Sequence, residues 1–243
     1  MTDLRNRVAL VTGGSRGIGR AIAVSLADAG AAVAVNYREK TAEAEVVVAA
    51  IEAKGGKALA VRADVSQAAE VARMMAEVEG ALGPVDVLVN NAGVGLVRSV
   101  DDLTEADFDL TIAVNLKSVF LCTQAVIPAM RARRWGRIVN ISSGAARGAG
   151  GVGPHYNASK AGMEGMTRGY AARLVKDGIT VNSVAPSLIE TDMVKQGLAS
   201  AASRIPLGRF GTPQECAEVV MMLVGNAYMT GQTVALSGGM SFL

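Results

Sequence analysis

Apolar and polar positions along the chain form two kinds of segment that alternate from one end to the other. Short and nearly continuous runs of Val, Ile, Leu and Ala are typical of parallel strands that are buried on both faces. Seven such runs predict strands at Val8–Thr12, Ala32–Asn36, Lys57–Val61, Val85–Asn90, Arg137–Ser142, Thr180–Ala185 and Thr233–Leu236.

The longer segments between these runs have apolar residues at helical spacing. They predict helices at Gly19–Ala29, Thr41–Lys54, Ala68–Ala81, Glu105–Arg133, Tyr156–Lys176 and Pro213–Val224. Glycines such as Gly30 and Gly178 follow the helical runs, at the place where a left-handed residue commonly ends a helix. Repeated alternation of strand and helix predicts the α/β class, with a doubly wound parallel sheet that has helices on both sides. We expect residues 1–243 to form a single domain.

Composition and charge narrow the classes of function. Half of the residues are hydrophobic, only 4% are aromatic, and the formal net charge is +2. This charge is too small to indicate binding to nucleic acid or to an anionic membrane, and no apolar run approaches the ~18–20 residues that span a bilayer. Cys122 and Cys216 are far apart and His155 is the one histidine, so no metal site is predicted. We expect a cytoplasmic protein.

The first residues with a chemical role come directly after the first strand. The segment Thr12-Gly13-Gly14-Ser15-Arg16-Gly17-Ile18-Gly19 leads into the first predicted helix. Glycines let the backbone turn sharply and approach a pyrophosphate, and the helix N-terminus supplies N–H donors. The spacing differs from the usual Gly-x-Gly-x-x-Gly of dinucleotide sites, so a purely structural turn stays an alternative.

The end of the second strand bears on the type of dinucleotide. An acidic residue there would bind the ribose 2′-hydroxyl of NAD, but the run Val35-Asn36-Tyr37-Arg38 has no carboxylate before Glu39. Arg38 and Arg16 are suited instead to a 2′-phosphate, through charge-assisted hydrogen bonds. The alternative is that both arginines are solvated surface residues. The sequence favours NADP(H).

A second constellation follows the fifth strand. Ser143 ends that strand, Tyr156 comes thirteen residues later, and Lys160 follows one helical turn further on. Positions four residues apart share a helix face, so the phenol and the ammonium can lie side by side. A phenol with a pKa of ~10 is a poor proton-transfer group at neutral pH unless nearby positive charge lowers its pKa. Lys160 and a nicotinamide cation would supply that charge.

These motifs resemble the short-chain dehydrogenase/reductase family and, within it, the 3-oxoacyl-(acyl-carrier-protein) reductases. The resemblance runs from end to end and includes residues 12–19, Asp64-Val65, Asn90–Gly93, Asn115, Ser142-Ser143, Tyr156–Lys160, Pro186–Thr191 and Thr230–Gln232. It implies a Rossmann-type doubly wound sheet and reduction of a ketone to a secondary alcohol by NADPH. The implied substrate is a 3-oxoacyl thioester of fatty acid biosynthesis, with acyl carrier protein as a partner and a homotetramer as the assembly.

The resemblance also implies a role for each matching residue. Tyr156 would protonate the carbonyl oxygen, Ser143 would bind that oxygen, and Lys160 would hold the nicotinamide ribose while lowering the pKa of Tyr156. Asn115 would position a water that links Lys160 to solvent. The implied cofactor-binding residues are Gly13, Ser15, Arg16, Gly17, Ile18, Gly19, Tyr37, Arg38, Asp64, Val65, Asn91, Ala92, Gly93, Tyr156, Lys160, Pro186, Ile189 and Thr191. In this set Asp64 would contact the adenine and Asn91 would line the adenosine.

Departures from the family pattern concern the substrate. Arg134 matches a position that contacts the carrier protein, but Asp177 fills a second position that often has an arginine, and the stretch Met193–Pro206 is shorter than in the resembling reductases. A reductase or dehydrogenase for a sugar, a polyol or a small or aromatic ketone therefore stays an alternative. A nucleotide-sensing regulator is another, although it would not need a phenol–ammonium pair. His155 is expected at the pocket rim or on the surface.

Overall fold

One seven-stranded parallel sheet forms the centre of the protein, as the strand pattern predicts. The computed structural model describes residues 2–191 and 199–241. The strands are β1 Val8–Val11, β2 Ala32–Tyr37, β3 Ala58–Arg62, β4 Val87–Asn90, β5 Gly136–Ile141, β6 Ile179–Pro186 and β7 Thr233–Leu236. Their order is β3-β2-β1-β4-β5-β6-β7, with every neighbouring pair parallel. The prediction of a doubly wound parallel sheet is confirmed.

Helices lie between the strands at the predicted places. They are α1 Gly17–Asp28, α2 Thr41–Glu52, α3 Ala68–Ala81, α4 Glu105–Ile112, α5 Ser118–Arg133, α6 Pro154–Leu174 and α7 Pro213–Gly225. The predicted helix Glu105–Arg133 is divided between α4 and α5 by a π-helical turn at Ala113–Lys117. Helix α6 begins two residues before the predicted start, because a proline in the first turn needs no hydrogen-bond partner for its nitrogen.

Both faces of the sheet are covered. In β1, Ala9 and Val11 pack on one side with α1, α2 and α7, whereas Val8 and Leu10 pack on the other side with α3, α5 and α6. Because successive strand residues point to opposite faces, burial on both sides favours apolar residues at most positions. This is why the strands appear in the sequence as continuous apolar runs.

The segment Glu105–Arg133 departs from the expectation that no stretch is long and apolar enough to span a bilayer. Its most apolar window has a mean hydropathy of 1.6, which by length and composition alone would suffice. Half of that window is buried inside the protein. The buried residues Cys122, Val126, Ile127 and Met130 of this segment belong to the core on one face of the sheet.

A chain of buried polar side chains attaches helix α6 to the sheet. The Asn90 amide donates to the Asn140 side chain over 2.8 Å, and the Asn140 amide donates to the Thr167 hydroxyl over 2.9 Å. Thr167 in turn donates to the Met163 carbonyl within α6. Buried polar groups are costly unless they are paired. The chain therefore favours one position of α6 on β4 and β5.

Gly178, in the connection between α6 and β6, lies close to Arg134, which precedes β5. This contact allows a test of the fold. Gly178 has φ +77°, and a methyl group on it would collide with the Arg134 carbonyl. We expect Gly178→Ala to lower the free energy of unfolding by about 1–3 kcal/mol, the usual cost of a strained backbone residue. Urea denaturation measures the change.

Gly165 provides the matched control, because it lies inside α6 and a methyl group there meets nothing within 4 Å. Gly165→Ala should raise stability by about 0.5–1 kcal/mol through helix propensity. Equal stability of the Gly178→Ala variant and the wild-type protein would show that this turn is not constrained.

Candidate active site

The predicted site residues meet at the edge of the sheet formed by the carboxyl ends of the strands. Strand β1 has β2 on one side and β4 on the other, so the connections after β1 and β4 lead away in opposite directions. Such a switch point leaves a crevice in which doubly wound proteins bind ligands. The glycine turn after β1 and the segment that begins with Asn91 after β4 both lie there.

The glycines of the turn are needed either for their backbone conformation or for close contacts. Gly13 and Gly17 have φ +60° and +53°, which are left-handed values, and a methyl group on Gly19 would collide with the Gly13 carbonyl and the Asn91 amide. Asn36, at the end of β2, accepts the Gly13 N–H with its side-chain oxygen (3.1 Å) and the Gly14 N–H with its carbonyl (2.8 Å). The turn is therefore held in a shape that presents bare backbone at the start of α1.

Strands β1 and β4 are joined at this edge by side-chain hydrogen bonds. The Thr12 hydroxyl accepts the N–H groups of Asn91 and Ala92 over 2.9 and 3.0 Å. The Asn91 amide donates to the carbonyls of Thr12 and Gly13, both over 3.0 Å. Asn91 thus supports the glycine turn, a role that the sequence interpretation did not include. Thr12 and Asn36 were also missed, and the signal for Asn36 is a polar residue inside an apolar strand run.

Arg38 lies where β2 ends, between two carboxylates. Its guanidinium is 2.7 Å from a Glu39 oxygen and 4.0 Å from an Asp64 oxygen, and its side chain remains 49% exposed. The other Asp64 oxygen accepts hydrogen bonds from the N–H and the hydroxyl of Ser66. Arg38 is therefore accessible at the edge of the crevice, together with the partly buried Tyr37.

The segment after β6 returns to the glycine turn. Ile189 is buried and forms an isolated parallel bridge with Gly211, and Thr191 lies beside Gly17, where an added methyl group would be 3.4 Å from its Cγ2. Pro186, Ile189 and Thr191 thus lie at the same edge as the turn. Residues 193–198 of the stretch expected to be shortened lie outside the described residues.

Tyr156 and Lys160 lie one turn apart on α6, as their spacing predicts. The Lys160 ammonium is 5.7 Å from the centre of the Tyr156 ring and donates to the Ile141 carbonyl over 2.8 Å. A methyl group on Gly93 would lie 3.6 Å from the Lys160 Nζ and 3.2 Å from the Asn115 Oδ1. The structure therefore brings four parts of the chain together around one ammonium group: the segment after β4, the end of β5, the π-helical turn and α6.

The buried Asn115 side chain is fully engaged with its neighbours. Its Oδ1 accepts the Val94 N–H over 2.8 Å, and its amide donates to the Val94 carbonyl and the Ser159 hydroxyl. Ser159 donates in turn to the Tyr156 carbonyl over 2.7 Å. Asn115 therefore fastens the segment after β4 to the first turns of α6. Its place in a π-helical turn is typical of functional sites.

Burial shifts the pKa values of the phenol and the ammonium in opposite directions. Burial raises the pKa of Tyr156, and a hydrogen bond with Ser143 partly offsets this rise. Burial lowers the pKa of Lys160 to about 8. Desolvation is thus the larger influence on the pKa of Tyr156, and a lowering of that pKa by Lys160 stays a prediction. At neutral pH the phenol carries its proton and the lysine is largely charged.

Ser143 begins a short turn that is attached to α6. Its hydroxyl oxygen accepts the Ala145 N–H over 3.2 Å and caps the 3₁₀ turn Gly144–Ala146. Further along, the Asn157 amide donates to the carbonyls of Gly148 and Ala149. The Ser143 hydroxyl also forms a hydrogen bond with the Tyr156 phenol, so the two hydroxyl groups lie next to each other.

The expectation that His155 lies at the pocket rim or on the surface is wrong. The residue is 1% exposed, and its Nε2 is 3.0 Å from the Leu96 carbonyl. Nearby, the Arg98 N–H donates to the Val152 carbonyl. These contacts join the segment after β4 to the one before α6, which explains why the ring is covered rather than exposed.

No cluster of three or more His, Cys, Asp or Glu side chains is placed to hold a metal ion within residues 2–191 and 199–241. The thiols of Cys122 and Cys216 are buried and unbridged, and burial raises the pKa of each to about 12. Neither thiol is therefore suited to act as a nucleophile near neutral pH.

Comparison with known proteins shows the family to which the chain is similar. The model of the short chain dehydrogenase family matches residues 7–201. A 3-oxoacyl-(acyl-carrier-protein) reductase from Synechocystis is 43% identical over 99% of both chains. A hydroxy(phenyl)methylsuccinyl-CoA dehydrogenase subunit from Thauera aromatica is 42% identical over 98% of both.

A solved structure shows the same architecture. A dehydrogenase/reductase from Sinorhizobium meliloti superposes with a TM-score of 0.90 at 40% identity, over 98% of this chain and 96% of that one. The fold agrees with the family match. The chain belongs to the short-chain dehydrogenase/reductase family and is an oxidoreductase.

Proposed function

We propose that this protein uses NADPH to reduce the ketone of a 3-oxoacyl thioester to a secondary alcohol. The observation that carries the proposal is the protonated Tyr156 phenol beside the buried Lys160 ammonium, at the edge of the sheet where the glycine turn lies. A phenol that keeps its proton at neutral pH is suited to donate it to a ketone. The name of the Synechocystis relative supports the substrate class.

The chain's own groups divide the work of the reduction. The bound nicotinamide would supply the hydride for the carbonyl carbon. Tyr156 donates its proton to the carbonyl oxygen, and the Ser143 O–H stabilises the negative charge that develops there. Lys160 holds the ribose hydroxyls and stabilises the phenolate that remains. Asn115 keeps this end of α6 in place and, through its backbone in the π-helical turn, positions the water that returns a proton.

The glycine turn and its surroundings fit a dinucleotide. Bare backbone at Gly13, Gly17 and Gly19 lets a pyrophosphate approach the start of α1, where N–H groups and the helix dipole favour an anion. Arg38 and Arg16 then supply cations for a 2′-phosphate. Asp64 would bind the adenine, and Thr191 with the Ile189 backbone would bind the carboxamide.

The assembly is part of the proposal. Phe108 on α4 and Phe120 on α5 are 44% and 45% exposed, which leaves large apolar side chains on the surface of the two helices. We propose a homotetramer in the cytoplasm, built on these helices, α6 and the C-terminal segment. Association would remove this apolar surface from water.

Arg134, which is expected to contact a carrier protein, lies far from the active-site crevice of its own chain. Arg134 precedes β5 and Ser143 follows it, so they lie at opposite ends of a six-residue strand, about 20 Å apart at the usual strand rise. In one chain the basic cluster formed by Arg131, Arg133 and Arg134 is thus not beside the active-site crevice, and only another subunit of the proposed tetramer could bring it there. Asp177 also pairs with Arg131 over 2.7 Å. We therefore propose weak dependence on the carrier.

A second candidate is a thioester of coenzyme A with an aromatic or other compact acyl group. The Thauera relative, named for such a substrate, matches over nearly the full length of both chains. Asp177 also pairs with Arg131 and so offsets part of the positive charge that would attract an acidic carrier protein. Both candidates share the same chemical step.

The cofactor preference gives a direct test. Arg38→Asp should change the preference from NADPH toward NADH, because a carboxylate repels the 2′-phosphate and can bind a ribose hydroxyl. The measurement is the ratio of kcat/KM for the two cofactors. Arg73→Asp, on the exposed face of α3, makes the same change in net charge and should leave the ratio unaltered. A wild-type enzyme equally efficient with NADH would contradict the assignment.

The role of the phenol gives a second test. Tyr156→Phe should lower kcat at least ~100-fold, the usual scale for a lost general acid, with little change in NADPH affinity. Tyr170→Phe is the matched control, since Tyr170 lies on the same helix with its hydroxyl bound to Gln124. Lys160→Ala should weaken cofactor binding as well as turnover. Turnover by the Tyr156→Phe variant close to that of the Tyr170→Phe variant would remove the phenol from the mechanism.

The substrate class is tested by presenting one 3-oxoacyl group on carrier protein, on coenzyme A and as a simple ester. We expect turnover of all three, with a carrier advantage in kcat/KM below ~100-fold that decreases as salt screens the basic cluster. A larger advantage that is lost in Arg134→Glu would show dedicated docking. No activity on any of them, with turnover of a sugar or aromatic ketone, would reject the proposed substrate.

A further inference from the structure

Glu164 is a buried carboxylate on the helix that carries the candidate catalytic pair. It follows Lys160 by four residues and Tyr156 by eight, so the three side chains lie along one face of α6. The residue is 3% exposed. Its two oxygens bind different partners: Oε1 accepts from the Ser142 hydroxyl over 3.2 Å, and Oε2 accepts from the Arg147 Nε over 2.8 Å.

These two partners flank Ser143. Ser142 precedes it directly, and Arg147 follows it by four residues, at the end of the 3₁₀ turn that Ser143 caps. The Ser142 oxygen also lies 3.3 Å from the Lys160 carbonyl, but a hydroxyl has one proton and a charged carboxylate is the stronger acceptor. A single carboxylate thus holds the turn of Ser143 from both sides.

The contacts of Glu164 do not reach the ammonium of Lys160. That group donates to the Ile141 carbonyl, and the lowering of its pKa is caused by burial. The effect of Glu164 must therefore pass through the Ser143 turn. Stability alone does not call for a carboxylate here, because well-packed apolar residues can replace a buried ion pair without loss.

We infer that Glu164 is a positioning residue that sets the Ser143 hydroxyl relative to the Tyr156 phenol. The inference rests on the proposed function, in which both hydroxyl groups bind the same carbonyl oxygen. Their separation must then be held closely, since small errors in the placement of catalytic groups are costly. Tyr156 is fixed by α6 and Ser143 by the end of β5, and Glu164 joins α6 to the residues on both sides of Ser143.

Variants of Glu164 test the inference with rates expressed per NADPH-binding site, so that unfolded protein does not count. Glu164→Leu removes both contacts and should lower kcat about ten-fold, with KM for the ketone and Kd for NADPH changed less than about two-fold. Glu164→Gln can still accept from Arg147 and donate to Ser142, so it should lose only about two- to three-fold. Unchanged kcat in Glu164→Leu would overturn the inference.

Asp86 provides the matched control for loss of a buried carboxylate. It binds Arg133 over 3.2 Å and the Val8 N–H over 3.0 Å at the other end of the sheet. Asp86→Asn should lower thermal stability and leave kcat per site unaltered. An equal loss of kcat in Asp86→Asn and Glu164→Gln would reduce the role of Glu164 to general stability.

A double-mutant cycle identifies the residue through which Glu164 acts. In a Ser143→Ala background the hydroxyl group to be positioned is absent, so Glu164→Leu should have no further effect on kcat. If kcat of the double variant instead falls by the product of the two single-variant fold-losses, the inference is contradicted. If Glu164→Leu does not fold, Arg147→Leu enters the same cycle, because it removes one of the two contacts from a half-exposed side chain.

Crystal structures separate this inference from the proposed function. If the wild-type protein reduces no ketone and oxidises no alcohol in a broad panel, the proposed function fails, but the geometry can still be compared. The Ser143 Oγ should move away from the Tyr156 hydroxyl in Glu164→Leu or Arg147→Leu and stay in place in Asp86→Asn. An unmoved Ser143 would overturn the inference whatever the activity.

Discussion

Burial of a parallel sheet on both faces is the constraint on which the other features depend. Strands covered by helices on either side have no free face for polar side chains, so chemistry is confined to the strand ends. The carboxyl ends of β1 and β4 lie side by side, and on either side of this pair the later strands are added in opposite directions. Thr12 and Asn91 join the two strand ends there. The crevice that results is a property of the strand order rather than of any single residue.

Helix α6 links this scaffold to the chemistry. It is attached to β5 through the Asn140–Thr167 contact, to the π-helical turn through Ser159, and to the Ser143 turn through Glu164. Each contact pairs a buried polar group that would be costly if left alone. Tyr156 and Lys160 therefore occupy positions that are set by their neighbours before any ligand binds, which limits the reorganisation needed during the reaction.

The parts of the molecule that follow from local periodicity could be predicted from the sequence, and those that depend on contacts between distant segments could not. Apolar runs predicted the seven strands, and the spacing of Tyr156 and Lys160 placed them on one helix face. The Asn115 side chain binds the backbone of Val94, a contact between distant segments that no periodicity shows. His155 and Glu164 are polar helix residues of a kind usually exposed, and only tertiary packing shows that they are buried.

Asn36 has a consequence for how this chain can evolve. Its amide group donates to the carbonyls of Val61 on β3 and of Ala63 just after it, while its oxygen accepts from Gly13. An aspartate here could still accept from Gly13, but it would place negative charge against two carbonyl oxygens and lose both donors, so the contact between β2 and β3 would be weakened. Evolution toward another dinucleotide is thus less costly at Arg38, whose half-exposed side chain does not hold the turn.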